Sequence, residues 1–269
     1  MLNIRPLHPE ELPRLKDFAP PDWNTDLSAT FAFHYGRPYF YPFAAELDGE
    51  LVGCANGLWT GNAGWLGNII VLPEYRGHGI GLAVTKHLVD FFHAKGCASQ
   101  ILIATKMGEP VYRKLGFETV SNYIFLKAKQ PVIAPETTGI RSIAPEDCGA
   151  IYRLDNSITG EDRRLFLERF LPSGWVHESA PGVVDGFYLP DLAQGPVVAE
   201  NDVAGQVLLA YKLSHGSQTV VIPEANQSAL NYLLEHGFQE TARAPRMILG
   251  RDADWHPEHV YSRGGGYCG

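Results

Sequence analysis

The sequence has little positive charge and few cysteines. Its 269 residues include 22 Lys and Arg against 30 Asp and Glu, a net charge of −8, and no basic run exceeds two residues. Nucleic-acid binding takes most of its affinity from Lys and Arg at phosphates, so this composition argues against such a partner. The four cysteines lack the paired spacing of a zinc site or a disulfide framework, and no metal is predicted.

Long apolar runs are absent too. No segment approaches the roughly 20 apolar residues that span a bilayer, and residues 1–6 lack the apolar region of a secretion signal. We therefore expect a soluble, cytoplasmic protein that does not bind membranes. Hydrophobic residues make up 45% of the chain, which is enough for the cores of one large domain or two modest ones.

The first half changes from strand-like to helix-like periodicity near residue 72. Extended segments at 43–47, 51–59 and 65–71 are separated by turn residues and predict a β-meander. A helical spacing of apolar residues follows from Ile80 to Phe92. Then come a strand at 101–104, a short helix at 110–115 and two closing strands near 118–120 and 123–127.

A second half repeats this order. Thr105 precedes Leu115-Gly116-Phe117 as Asn226 precedes His236-Gly237-Phe238, with twelve positions from the first residue to the Phe in both cases. The repetition predicts a duplicated fold. We expect domains at 1–130 and 139–250, a Pro- and Thr-rich linker at 131–138, and a loose tail at 251–269.

The sharpest motif is the run Arg76-Gly77-His78-Gly79-Ile80-Gly81 between a strand and a helix. Backbone N–H groups that lack partners at a helix N-terminus favour a phosphate, and glycine lets the main chain approach it closely. The run is neither a P-loop, since no Lys-Ser/Thr follows, nor the GxGxxG dinucleotide fingerprint.

With Tyr112 and Leu115-Gly116-Phe117, this run resembles the signatures of the GNAT superfamily of acyl-CoA-dependent N-acyltransferases, over roughly residues 2–128. The resemblance implies an α/β (α+β) fold in which a mixed, mostly antiparallel sheet is flanked by helices, here duplicated as tandem domains. It implies acetyl-CoA as cosubstrate and a small-molecule or peptide amine as acceptor. A homodimer is compatible with the sequence.

The resemblance also assigns residues to acetyl-CoA. The fourth strand, at 68–71, would bulge and diverge from the fifth at 101–104, so that pantetheine lies between them. The Val71 N–H would polarise the thioester carbonyl and Tyr112 would protonate the leaving thiolate. Tyr112 as an aromatic core residue is the alternative. The predicted cosubstrate ligands are Ile69, Ile70, Val71, Arg76, Gly77, His78, Gly79, Ile80, Gly81, Thr105 and Tyr112.

The general base stays open. Many members of the superfamily have Glu on the fourth strand, where this chain has Trp65, Leu66, Gly67 and Asn68, and many have Asn where it has Thr105. Asn68 is a catalytic candidate because it could hold a water that deprotonates the amine. The other candidates are Glu46, Asp48, Glu109, His34 and His78, and for the three acids a solvated surface position is the alternative.

The second half lacks the glycine run, has Glu200 and Asp202 where phosphates would bind, and has Leu233 at the position of Tyr112. It therefore resembles the degenerate second domain of some bacterial two-domain members. Candidate acceptor ligands are Trp23, His34, Tyr35, Asp155, Asp162 and Arg163. Pairing of Asp162 and Arg163 at a helix start, and core packing of the aromatic residues, are the structural alternatives.

These observations predict an N-acetyltransferase that transfers acetyl from acetyl-CoA to a primary amine by direct attack in a ternary complex. Two alternatives stay open. The chain could use another acyl-CoA or a protein acceptor, or it could be a CoA-binding sensor or interaction protein without turnover.

Overall fold

The computed structural model describes residues 1–23, 25–130 and 138–269. The linker predicted at 131–138 therefore falls, except for its last residue, outside the described residues. The described chain forms two compact units. The first comprises Met1–Glu118, Ile248–Arg251 and Gly266–Cys268, and the second comprises Thr119–Met247, Asp252–Gly265 and Gly269.

The described part of the first unit contains a β-meander and three α-helices, and from β2 onward they come in the order that the periodicities predict. Its elements are β1 (Leu2–Pro6), α1 (Leu27–His34), β2 (Phe40–Leu47), β3 (Glu50–Thr60), β4 (Ala63–Val71), α2 (Ile80–Ala94), β5 (Ser99–Ile103) and α3 (Glu109–Lys114). Strands β1 to β4 pair antiparallel in sequence order, and β5 pairs parallel with β4. The predicted mixed, mostly antiparallel sheet with flanking helices is confirmed.

Helix α2 packs on one face of this sheet because two glycines make room for it. A β-carbon on Gly64 would lie 2.4 Å from the ring of Phe92, and one on Gly57 would lie 2.7 Å from it. Tyr41 contacts Phe91 on the same face. On the opposite face, Phe40 meets Phe31 of α1 edge to ring at 5.4 Å. Since side chains alternate along a strand, residue parity assigns each position of β3, and of β4 up to Gly67, to one of these two faces.

The remaining elements, in chain order, are β6 (Glu118–Ala128), β7 (Ile140–Ser142), α4 (Cys148–Thr159), α5 (Arg164–Leu167), β8 (Trp175–Ala180), β9 (Val183–Tyr188), β10 (Val197–Ala199), α6 (Asp202–Ser214), β11 (Thr219–Pro223), α7 (Gln227–Glu235), β12 (Phe238–Gly250) and β13 (Val260–Ser262). In the second unit β7 to β10 and β13 form a five-stranded sheet, and β11 pairs antiparallel with β6. The end of β12 belongs to the first unit, where the N–H of Arg251 donates to the carbonyl of Ala98.

Two expectations about the ends of the halves are wrong. The two closing strands expected near 118–120 and 123–127 are the single strand β6, since Asn122 between them stays extended and its N–H and Nδ2 both donate to Glu224. The tail after Gly250 is not loose. It contains β13, in which Tyr261 is fully buried, and the N–H of Arg263 donates to the carbonyl of Val221.

None of the helices in the described part of the chain combines the length and apolar character needed to cross a bilayer.

Candidate functional site

Strand β4 stops pairing with β5 after Trp65 and bulges at Asn68. Opposite β3, Asn56 pairs with Gly67 and Cys54 with Ile70, so two residues of β4 face one residue of β3. Asn68 takes a left-handed φ of 49°, which few residues other than glycine adopt. Its Nδ2 donates to Oδ1 of Asn56 at 2.7 Å, and this bond stabilises the bulge.

The paired part of β4 and β5 is short. The strands pair only from Ala63 with Ser99 to Trp65 with Ile101, although β4 continues to Val71 and β5 to Ile103. Beyond Trp65 the two strands no longer pair, and the unpaired side of β4 is called the gap from here on. The bulge and the end of pairing are as the family resemblance implies.

Backbone groups of Val71 face this gap. The N–H of Leu72 donates to the carbonyl of Val52, so Leu72 belongs to a hydrogen-bonded pair with β3, and by alternation its neighbour Val71 belongs to a non-bonded pair. The N–H and carbonyl of Val71 therefore point away from β3. Consistent with this, Nε of Arg76 donates to the Val71 carbonyl at 2.9 Å.

The same alternation distinguishes Ile70 from Val71. Ile70 pairs with Cys54 in a hydrogen-bonded position, so the polar groups of its main chain face β3 rather than the gap. Its side chain is only 5% exposed. Ile70 stays a predicted cosubstrate ligand that this geometry does not favour, whereas the geometry favours Val71.

The glycine run forms an open turn at the start of α2. Gly77 and Gly79 have φ values of 82° and 78°, and a β-carbon on either would meet no atom within 4 Å. Glycine is needed there for backbone conformation and not for space. His78 is exposed, Ile80 is buried, and Gly79 caps the helix without a side-chain hydrogen bond.

The first N–H groups of α2 lack acceptors within the helix. Shortly before them in the chain, Nε of Arg76 donates to the Val71 carbonyl. The helix N-terminus, the Arg76 guanidinium and the open turn together form a site with the chemistry of a diphosphate cradle. Gly81 lies next to it, and a β-carbon there would be 3.9 Å from the side chain of Val71.

Tyr112 lies directly over Gly108 on α3. A β-carbon on Gly108 would lie 2.7 Å from Cε2 and 2.8 Å from the hydroxyl oxygen of Tyr112. Burial raises the pKa of Tyr112 to about 12, so the phenol keeps its proton at neutral pH. Thr105, at the end of β5, accepts a hydrogen bond from the Gly108 N–H at 3.1 Å and so orders the turn that carries Tyr112.

The acids considered as general bases are all ion-paired. Glu46 binds Arg5 at 2.7 Å, Glu109 binds Arg113 at 2.7 Å, and Asp48 binds the Met1 amino group. Each carboxylate therefore has a structural partner, and none of the three is assigned as the base.

The aromatic candidates for acceptor binding differ in their exposure and in what they contact. His34 is 2% exposed, and its Nδ1 and Nε2 lie 3.4 Å and 3.3 Å from the hydroxyls of Tyr39 and Tyr267. The hydroxyl of Tyr35 donates to the carbonyl of Leu7, which is a structural tie. Trp23, in a 3-10 turn at Pro21–Trp23, is 36% exposed. Only His34 of this set joins a polar cluster.

The predicted acceptor ligands of the second unit form ion pairs. Asp155 and Arg163 are 1% and 5% exposed and bind each other through two hydrogen bonds. Asp162 binds Arg164 at its helix start. The structural alternative, in which Asp162 pairs with Arg163, is not what forms, because Arg163 turns inward to the buried Asp155. Because these charges satisfy one another, Asp155, Asp162 and Arg163 are not retained as acceptor ligands.

The positions that would bind acetyl-CoA are closed in the second unit. The side chain of Asn201 caps α6 by accepting from the Ala204 N–H at 3.0 Å, whereas α2 has no side-chain cap. Asp202 in the first turn accepts a hydrogen bond from the Tyr261 hydroxyl. Leu233 is fully buried. One N–H of this helix start is therefore already occupied, and the carboxylate of Asp202 makes the place unfavourable for a diphosphate.

Two residues of the first unit went unnoticed in the sequence. Asn56 is fully buried on β3, and within the described residues its Nδ2 has no hydrogen-bond acceptor. Tyr267 packs on Gly67 of β4, where a β-carbon would lie 2.2 Å from the Tyr267 Cβ. Asn56 lies within a strand pattern that does not distinguish it from its neighbours as a functional residue. Tyr267 lies in a glycine-rich stretch that has no periodicity.

Comparison with known families agrees with this geometry. A profile described as the Acetyltransferase (GNAT) family matches residues 7–117, and one described as an Acetyltransferase (GNAT) domain matches residues 151–262. The chain belongs to the GNAT superfamily. It is a two-domain member, since both halves match.

Similar proteins have the same two-domain extent. The uncharacterised N-acetyltransferase YitH of Bacillus subtilis is 24% identical over 231 residues, which cover 81% of this chain and 80% of YitH. A solved structure from Pyrococcus horikoshii, assigned as an acetyltransferase, superposes with a TM-score of 0.85 at 20% identity and covers 100% of this chain and 96% of its own. A shorter stretch of 54 residues is 39% identical to glucosamine 6-phosphate N-acetyltransferase of Trypanosoma brucei brucei and covers 20% of this chain and 37% of that protein.

Members of this superfamily generally use acetyl-CoA, and the first GNAT domain fits it. The open turn at Gly77–Gly81 suits the diphosphate, and the outward main chain of Val71 suits an extended amide-containing arm. The second GNAT domain carries Asp202 and the Asn201 cap at the corresponding place and does not fit.

Proposed function

We propose that the first GNAT domain transfers acetyl from acetyl-CoA to the primary amine of a small molecule or peptide. The observation that carries the proposal is one continuous surface. The open turn starts α2, Arg76 lies between this turn and the Val71 carbonyl, and Val71 lines the gap between β4 and β5. The turn at one end of this surface suits the diphosphate of acetyl-CoA, and the gap at the other end suits its thioester.

Acetyl-CoA, when bound, supplies a thioester whose acetyl carbon is open to attack by an amine. The residues of the chain then have distinct tasks. The main chain of Ile69 and Val71 orients the pantetheine arm, and the Val71 N–H donates to the carbonyl oxygen as negative charge grows there. Gly77, Gly79, Ile80 and Gly81 bind the diphosphate through their N–H groups.

Tyr112 is the proton donor to the developing thiolate. Its raised pKa means that the phenol is protonated in any assay near neutral pH and can donate its proton, or a strong hydrogen bond, to the sulfur. Its ring is fixed by contact with Gly108 and by an edge-to-ring contact with Phe117. Such fixed orientation is what a general acid requires.

An amine acceptor is supported by two findings. The glucosamine 6-phosphate N-acetyltransferase that resembles a stretch of this chain has an amino sugar in its name. The GNAT family profile matches residues 7–117, which are most of the proposed catalytic domain.

The test measures acetyl transfer and CoA binding separately. Thiol release from acetyl-CoA with a panel of primary amines should show turnover, and Tyr112→Phe should lower it about 10²-fold while the Kd for CoA by calorimetry stays within twofold. Longer acyl-CoAs and a peptide acceptor belong in the same panel. CoA binding without thiol release for any acceptor would favour a sensor, and failure to bind CoA would overturn the proposal.

A further inference from the structure

Strand β4 has no ionisable side chain between Trp65 and Val71, and Tyr267 occupies the space beside it. A β-carbon on Gly67 would lie 2.2 Å from Cβ and 2.9 Å from Cα of Tyr267, so the segment Gly266–Cys268 packs against the strand itself. Gly67 is the residue before the bulge at Asn68. The Cα and Cβ of Tyr267 therefore lie where a side chain of β4 would otherwise be.

Tyr267 is hydrogen-bonded to His34, although 233 residues separate them. The Tyr267 hydroxyl lies 3.3 Å from Nε2 of His34, and Nδ1 of His34 lies 3.4 Å from the Tyr39 hydroxyl. The three side chains form a Tyr–His–Tyr chain. When the Tyr267 hydroxyl donates to Nε2, the proton of the imidazole is on Nδ1, where Tyr39 accepts it.

Asn56 adds an unsatisfied donor at the same place. It is the β3 partner of Gly67, and its Oδ1 would lie 3.3 Å from a β-carbon on that residue. Its side chain is fully buried, and its Nδ2 has no acceptor in the described part of the chain. A buried N–H group without an acceptor is unfavourable, so a bound molecule that accepts from Nδ2 is favoured.

From this arrangement, and given the proposed function, we infer that the Tyr267–His34 pair is the proton relay for the acceptor amine, which binds beside Gly67 and Asn56. The amine nitrogen forms the new C–N bond as the C–S bond breaks, and the electron pair of that bond goes to sulfur. The amine then gives one proton to the Tyr267 oxygen, and the Tyr267 proton moves to Nε2 of His34. Tyr112 protonates the sulfur. Solvent later takes the proton from His34 and returns one to Tyr112.

The relay explains why a phenol can work here. Burial raises the pKa of Tyr267 well above its usual value, with smaller contributions from Cys268 and Tyr39. A neutral phenol accepts a proton only if it passes its own to a base, and the His34 imidazole is that base. The Tyr267–His34 pair thereby accepts the amine proton, a task for which β4 has no carboxylate.

The test removes each hydroxyl or imidazole without removing its bulk. Tyr267→Phe keeps the Cα and Cβ against Gly67, and we expect kcat to fall at least 10-fold with an unchanged Kd for CoA. His34→Gln should give a similar loss, and the double variant should lose little more than either single variant, because both act on one path. Tyr41→Phe is the matched control, since its hydroxyl donates to the Pro38 carbonyl on the α2 face, and it should retain activity.

A second variant tests position instead of chemistry. Gly67→Ala puts a methyl group into the Tyr267 backbone and should displace the segment, with a loss of kcat equal to that of Tyr267→Phe. Full activity in Tyr267→Phe while the wild type turns over would overturn the relay and leave the proposed function intact. Absence of turnover in the wild type itself would overturn the proposed function, and the relay with it.

Discussion

Gly108 accommodates the phenol of Tyr112, whose hydroxyl oxygen would lie 2.8 Å from a β-carbon at that position. The backbone of Gly108 is right-handed helical, with φ −80° and ψ −33°, so alanine fits its conformation. The glycine is therefore required for the orientation of Tyr112 and not for the fold. A substitution of Gly108 by alanine should therefore affect catalysis without affecting stability.

The first prediction follows from it. Gly108→Ala should push the Tyr112 ring away and lower kcat at least 10-fold, with little change in Tm or in the Kd for CoA. Combined with Tyr112→Phe, it should cost little further activity, because the two changes act on the same group. Gly149→Ala on α4 is the control, and its β-carbon would meet only Nη1 of Arg153 at 3.4 Å. Additive losses in the double variant would contradict the prediction.

The second prediction concerns the diphosphate cradle. Arg76→Ala should weaken CoA binding 10-fold or more, because it removes a cation beside the helix N-terminus and the bond to the Val71 carbonyl. Gly79→Ala strains a left-handed turn and should act likewise. Calorimetry with CoA measures both. Lys86→Ala, which breaks only an exposed pair with Asp90 on α2, should leave the Kd unchanged. A change confined to the KM for the acceptor would disprove the assignment of Arg76.

The third prediction concerns the bulge. Asn68→Gly keeps the left-handed φ and should keep the bulge, although the bond to Asn56 is lost. Asn68→Val should cost about 1–3 kcal/mol of unfolding free energy, since a β-branched residue cannot easily adopt that conformation, and it should weaken CoA binding as Val71 rotates. Denaturant unfolding and calorimetry measure the two effects. Equal behaviour of the two variants would argue against strain at Asn68.

The fourth prediction concerns stability and pH in the second unit. Lys212 is 1% exposed, and its Nζ donates to the carbonyls of Gln194 and Gly195 and to Oγ of Ser262. Burial lowers its pKa from 10.5 to about 7. Between these values the unfolded chain binds more protons than the folded chain, so the unfolding free energy should rise with pH by up to about 1.4 kcal/mol per unit.

The contribution of this pKa shift to the unfolding free energy is thus complete above pH 10.5 and is lost as the pH falls toward 7. Lys212→Met should flatten the pH dependence in this window, measured by denaturant unfolding at several pH values, and should also destabilise the fold because three acceptors lose their donor. Lys86→Met, at an exposed site, should keep the wild-type slope. A variant at Lys212 with that same slope would show that another group titrates.

Much of the first unit could be predicted from local patterns. The glycine run, the helical spacing from Ile80 and the motif around Tyr112 each lie within about 15 residues, and the structure has the open turn and the helices there. The pairing of Asp155 with Arg163 could not be predicted in this way, because the choice between Arg163 and Arg164 depends on which side chain faces the core.

The sequence by itself determined that this protein has two halves of the GNAT superfamily and that only the first has the residues for a diphosphate. These properties are local, since a turn or a helix start depends on neighbouring residues. The tertiary structure alone decided that Asn56 holds Asn68 and that Tyr267 reaches Gly67 and His34. Contacts between distant segments depend on packing and strand register, which neither spacing nor composition specifies.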